Sequence, residues 1–147
     1  TRYPHAISHL DIMPTALGAA SLIPQARLID GVNLLPYLGG QKTGAPHDTL
    51  IWREGHYQAV LSDGWKMQRS ASPEKIRLFN LAQDPFEKND LSAARGDKLA
   101  ELGRLLDAHN DQQAKPMWPS NVEIPIWVDK SLSDQPTLDD EFIYWPN

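Results

Sequence analysis

Apolar and polar positions alternate in the middle of the chain. Leu50-Ile51-Trp52, Gln58 to Ser62, Trp65 to Arg69 and Ile76 to Leu81 are short apolar runs separated by turn residues. This spacing predicts four short strands. In the last run Ile76, Leu78 and Asn80 alternate with Arg77, Phe79 and Leu81, the two-residue period of a strand with unlike faces. Asp63-Gly64 separates the second and third runs, and Gly supplies the positive φ that a two-residue hairpin turn requires. From Asp97 to Gln113 the period changes. Leu99, Leu102, Leu106 and His109 recur at helical spacing with charges on the opposite side, which predicts one long amphipathic helix. Gly103 inside it costs about 1 kcal/mol against Ala, which suggests close packing on the sheet.

The flanks read differently. Asp11 suits an N-cap, with Pro14 in the first turn of a short helix whose Leu10, Met13, Leu17 and Ala20 share a face and which Pro24 ends. Asp30-Gly31 makes a turn before Leu34, Leu35 and Leu38, a short buried helix stopped by Gly39-Gly40. Gln41 to Asp48 is a polar loop. Residues 115–147 are rich in proline, carry Trp118, Trp127 and Trp145, and show no sustained period; they read as an extended tail laid over another surface. The organisation expected is therefore 1–47, 48–114 and 115–147.

Composition narrows the function classes. At 147 residues the chain is long enough to bury a sizeable core. A net charge of −5 with scattered Lys and Arg argues against nucleic acid as a partner. No apolar run approaches a membrane span, and without cysteine there is no disulfide.

Candidate chemistry is sparse. Arg53, Glu54 and His56 sit in the turn between the first two strands, where they read either as substrate contacts or as a solvated hairpin end. Arg53 and His56 are the substrate-binding candidates. His5, His9 and Asp11 can be drawn as a metal trio, but Asp11 is better used as a cap, and no metal site is assigned. Ser70 to Lys75 reads as a surface loop. Asp139, Asp140 and Glu141 read as a solvated acidic run rather than a cation site, and the three tail tryptophans as buried anchors rather than a sugar platform.

The end of the sheet region carries the most specific pattern. LFNLAQDPFEKNDL, Leu78 to Leu91, is a strand stopped by Asp84-Pro85, with Glu87 and Asp90 placed to accept from turn N–H groups before Leu91 returns to the core. Its L-x-x-D-P-x-E-x-x-D-L pattern resembles a signature near the C-terminus of sulfatases, where Asn is commoner at the position of Asp90. Three further segments match that family in order. HLDIMPTALGAASL, His9 to Leu22, resembles its D-x-x-P-T helix. LIDGVNLLPYLGG, Leu28 to Gly40, resembles D-G-x-S-L-L-P-x-L-x-G, with Asn33 where Ser is usual. HDTLIWREGHYQAVLSDGWKM, His47 to Met67, resembles the strand pair carrying A-V-R-x-G-x-x-K, with Leu61 where Arg is usual.

The resemblance implies an α+β chain: the C-terminal part of an alkaline-phosphatase-like α/β sulfatase, with a four-stranded antiparallel sheet packed by one long helix. It implies sulfate ester hydrolysis for the parent, with calcium and a formylglycine supplied by an N-terminal part outside this chain. A C/S-x-P-x-R motif, the formylglycine precursor, does not occur here. The isolated chain is accordingly expected to be inactive, with no catalytic residue and no cofactor of its own. Its expected partner is the N-terminal catalytic portion or a second copy, and sulfatases are often exported, which implies an extracytoplasmic setting. The rival readings are a non-catalytic binding or scaffold module of sulfatase ancestry, and a fragment of a related phosphodiesterase or phosphonate hydrolase.

Overall fold

The computed structural model describes residues 3–22, 29–114, 123–128, 130–131 and 133–146. It divides into two compact units, 1–50 and 51–147.

The first unit is held by polar side chains bonded to backbone. A 3-10 turn, His9–Asp11, leads into α1, Ile12–Ala19; α2 is Leu35–Leu38. Ser8 caps the 3-10 turn, and Asp11 reaches back to accept from the Ser8 N–H at 2.8 Å, a reciprocal capping box. Asp11 is therefore not the side-chain cap of α1 that its position suggested: its carboxylate makes no cap bond there. It accepts instead from the Val32 N–H at 2.8 Å, while Thr15 Oγ1 accepts from the Leu34 N–H at 3.0 Å. Residues four apart share a helix face and residues two apart share the side of an extended segment, so Asp11 and Thr15 together stitch Val32 and Leu34 to the helix. That explains the D-x-x-P-T spacing, with Pro14 buried between them.

α1 ends before Pro24, which lies outside the described residues. Ser21 adopts φ 56° and the Leu22 N–H returns to the Leu17 carbonyl at 2.9 Å, so a left-handed residue stops the helix. α2 stops at Gly39-Gly40 as expected, with Gly40 at φ 73° and the Gln41 N–H on the Pro36 carbonyl. The expected apolar stripe is not buried. Met13 and Leu38 are exposed, Leu17 is half-buried, and of the three leucines near α2 only Leu34 is buried. Gly31 is required by a close approach: a Cβ there would lie 2.0 Å from the Leu10 carbonyl oxygen.

The second unit is a sheet with one face closed by a helix. Strands β1 (Thr49–Glu54), β2 (Tyr57–Ser62), β3 (Trp65–Ala71) and β4 (Glu74–Asn80) are hydrogen-bonded in chain order, and α3 runs from Gly96 to Gln112. At the β2–β3 hairpin Ser62 pairs with Trp65, and Asp63 and Gly64 have φ of 48° and 73°, so both central residues of the turn are left-handed. The register places Val60 opposite Met67 and Met67 opposite Leu78. With Leu102 and Leu106 of α3 these form the apolar core, and all five are essentially inaccessible. Gly103 does not pack closely; a Cβ there would meet nothing.

After β4 the chain folds back on the strand it has left. Asp84 Oδ2 accepts from the Asn89 N–H at 2.7 Å, closing the Asp-Pro turn. Asp90 Oδ1 accepts from the N–H groups of Leu78 and Ser92, and the Leu91 N–H donates to the Leu78 carbonyl at 2.7 Å. Asp90 thus acts as foreseen. Glu87 does not; its carboxylate goes to side chains. In the C-terminal stretch β5 (Glu123–Trp127) pairs antiparallel with β6 (Phe142–Pro146), giving a two-stranded ribbon.

Candidate functional site

Strand alternation sends Tyr57, Gln68, Ser70, Lys75, Arg77 and Phe79 to the sheet face opposite α3. A cavity of about 350 Å³ opens on that face. The Pro85-Phe86-Glu87 turn walls one part of it, and Val128, Glu141 and Phe142 wall another. The face toward α3 is apolar at its centre, whereas this one carries Lys66, Lys75 and Arg77, met by the carboxylates of Glu87 and Glu141.

Each carboxylate reaches the sheet from a distant segment. Glu87, at φ 56° in its turn, accepts from Lys66 Nζ at 2.6 Å and from Gln68 Nε2 at 2.7 Å. Glu141 accepts from Lys75 Nζ at 3.0 Å and from the Arg77 guanidinium through its second oxygen. The ribbon holds the Glu141 backbone in place, because Val128 N–H donates to the Glu141 carbonyl at 2.8 Å beside the Trp127–Phe142 pair. Trp127 and Phe142 stack edge-on, ring centres 5.4 Å apart.

The electrostatics follow from burial. Loss of water around the Tyr57 phenol, reinforced by the nearby Glu87 charge and opposed by Arg77, pushes its pKa up to about 12, so Tyr57 remains a protonated donor. Partial burial, then the Arg77 charge, lower the Lys75 pKa, and Asp90 opposes them. Donors, carboxylates and aromatic walls in one concavity make it a candidate ligand site.

The residues singled out from the sequence fall elsewhere. Arg53 is exposed near the end of β1. His56 is half-buried in the turn before β2, and its carbonyl accepts from the Ala71 N–H at 2.9 Å. It lines a second cavity of about 420 Å³ with Gln58, Arg69, Glu74 and Asn110; Arg53 is not among that cavity's walls. The trio His5, His9 and Asp11 is not assembled. His5 packs edge-on against Tyr3, and both Asp11 oxygens meet His47 Nε2, at 2.8 and 2.9 Å. Burial raises the Asp11 pKa, but hydrogen bonds from Val32, Ser8 and His47 outweigh it and hold the carboxyl below its ordinary value.

Two expectations about surface segments are corrected. Ser70, Ala71, Glu74 and Lys75 belong to strands, which leaves only Ser72-Pro73 as the turn. The 139–141 run is not simply solvated: Asp140 pairs with Lys130 at 3.0 Å, and Glu141 neutralises Lys75 and Arg77. The side chains of Trp118 and Trp145 lie outside the described residues. The sequence reading missed Tyr57, Lys75, Arg77 and Glu87. Lys75-x-Arg77-x-Phe79 on one strand face was the available signal.

Comparison with known proteins decides the ancestry. A stretch of 51 residues is 49% identical to the uncharacterized sulfatase YdeN of Escherichia coli K12, spanning 34% of this chain and 9% of that protein. The chain is a sulfatase homologue. No family model matches it. Its fold superposes on Ps i-CgsB with a TM-score of 0.64 and 25% identity, over 80% of this chain and 27% of that one. BT1596, a 2-O GAG sulfatase, superposes with a TM-score of 0.62 and 24% identity, over 69% of this chain and 24% of that one. The homologue thus spans only a fraction of these relatives, consistent with a C-terminal portion.

The sequence carries no precursor of the formylglycine that the family uses. The homologue has no cysteine and no Ser in a C/S-x-P-x-R context. Among the described residues no three or more His, Asp or Glu side chains gather as a metal-binding group.

Proposed function

We propose that this chain is the C-terminal part of a sulfatase. Its sheet-and-helix unit supports the catalytic domain and shapes the substrate pocket, while formylglycine and calcium belong to another portion of the protein. The supporting observation is the mixed fold that superposes on 27% of Ps i-CgsB, joined to a 49% identical stretch shared with YdeN. The parent reaction is sulfate ester hydrolysis, and Arg53 and His56 are the residues we place toward substrate. In the first unit Leu10, Ile12, Met13 and Leu38 are about half exposed or more. We assign the catalytic portion as their cover, because an apolar patch of this kind marks an interface.

The apolar core closed within 51–147 favours a second reading, an independent module of sulfatase ancestry. One experiment separates the two. The purified chain, with or without calcium, is expected to show no aryl sulfate hydrolysis above background. A longer product of the same reading frame is expected to carry C/S-x-P-x-R and to turn over. In it, Arg53→Ala or His56→Ala raises KM more than it lowers kcat. Turnover by the chain alone, or a reading frame without the motif, overturns the first reading.

A further inference from the structure

We infer that the cavity opposite α3 is a binding site for a ring-bearing carboxylate of uronic-acid size, and that Glu141 is its built-in competitor. The inference rests on the cavity itself, not on the sulfatase reading.

Lys75 and Arg77 stand two residues apart on β4 and point to the same face. One carboxylate already bridges them, that of Glu141. An ammonium beside a guanidinium is a strong receptor for an oxyanion, and the bond is stronger where water is partly excluded. The same wall shows such exclusion, with Ser70 nearly inaccessible and Tyr57 half-buried. Glu141 fills the anion subsite, yet about 350 Å³ remains open beside it. That volume is within the range of small-molecule pockets, ~300–1,000 Å³. Phe79, Phe86 and Phe142 give the space apolar walls, and Glu87 places an acceptor on it. An occupant with one carboxylate, one compact ring and several hydroxyls matches each group.

The competitor can leave without unfolding its strand. Glu141 is tethered through its backbone, by the Val128 N–H bond and the adjoining ribbon register. Only its side chain must rotate toward solvent, where the group is already partly accessible. A ligand carboxylate then takes its place across Lys75 and Arg77, and the charge of the site is unchanged.

The test is titration of the full chain with sodium glucuronate, followed by side-chain NMR of Arg77 and Tyr57. Acetate supplies the anion without the ring, and glucose the ring without the anion. Glucuronate is expected to shift both resonances, acetate to bind at least about fivefold more weakly, and glucose to leave them unmoved. Glu141→Gln removes the competitor, and if Glu141 occupies the subsite most of the time the apparent Kd falls at least about fivefold. Lys75→Gln, on the exposed rim, weakens glucuronate by a similar factor and keeps the test open if Glu141→Gln disturbs the ribbon. Equal affinity for glucose and glucuronate overturns the inference. So does a Kd that neither substitution changes.

Discussion

The two units bury opposite kinds of chemistry. At the centre of the first is a carboxylate, Asp11, fully buried and bonded to Ser8, Val32 and His47. At the centre of the second is hydrocarbon: Val60, Met67, Leu78, Leu102 and Leu106. A hydrophobic core is non-directional and tolerates modest repacking. A buried charge tolerates little, because removing its partners leaves an uncompensated ion. The first unit should therefore be brittle to polar substitutions and the second to cavities.

The largest effect should separate the units most clearly. Leu106→Ala empties the middle of the α3–sheet core and should cost about 2–5 kcal/mol. Hydrogen exchange should accelerate across β2, β3 and β4 while Ser8 to Thr15 keep their protection. Loss of protection in both units together would mean that they unfold as one. Asp11→Ala is the counterpart, expected to cost about 3 kcal/mol by stranding the Ser8 and Val32 N–H groups and His47. Here the N–H protection at Val32 and Leu34 should vanish first.

Acid should sharpen the same contrast. Asp11 and Asp90 both have folded-state pKa values below their ordinary ones. Each binds protons less readily folded than unfolded, so its stabilisation is complete above about pH 5 and is lost as pH falls below about 4 through the folded value. Denaturant midpoints should therefore drop on acidification, and Asp11→Asn should flatten the drop in the first unit only. A midpoint that rises toward pH 3 would contradict the sign.

Local backbone effects come last. Gly64→Val should destabilise the sheet by about 1 kcal/mol or more, because a β-branched residue resists the φ of 73° held there. Gly103→Ala should have the opposite sign. With open space at its Cβ position, helix propensity alone acts, and the midpoint should rise by the equivalent of about 0.5–1 kcal/mol.

Features decided by near neighbours were legible in the chain. The Asp63-Gly64 hairpin, the Gly39-Gly40 stop, the Asp84-Pro85 turn and the 96–112 helix all depend on φ preferences or on a period within a few residues. Their observed bounds differ from expectation by a few residues at most. The candidate site was less legible. Along the chain Ser72-Pro73 looks like the middle of a loop that takes in Lys75, and only the β3–β4 register shows how short that turn is.

The sequence by itself determined the order of elements from α1 to α3, the two faces of β4 and the resemblance to sulfatases, but not the ribbon of β5 and β6. Each is written in periodicity, in turn chemistry or in motifs a few residues long. Only the tertiary structure decided which partners the charged groups take. Asp11 meets His47 thirty-six positions away, Lys66 meets Glu87 across the sheet, and Glu141 returns from the ribbon to Lys75 and Arg77. Coulomb attraction acts through space and leaves no period along the chain. A carboxylate that closes a cavity therefore reads, in one dimension, like any solvated acid.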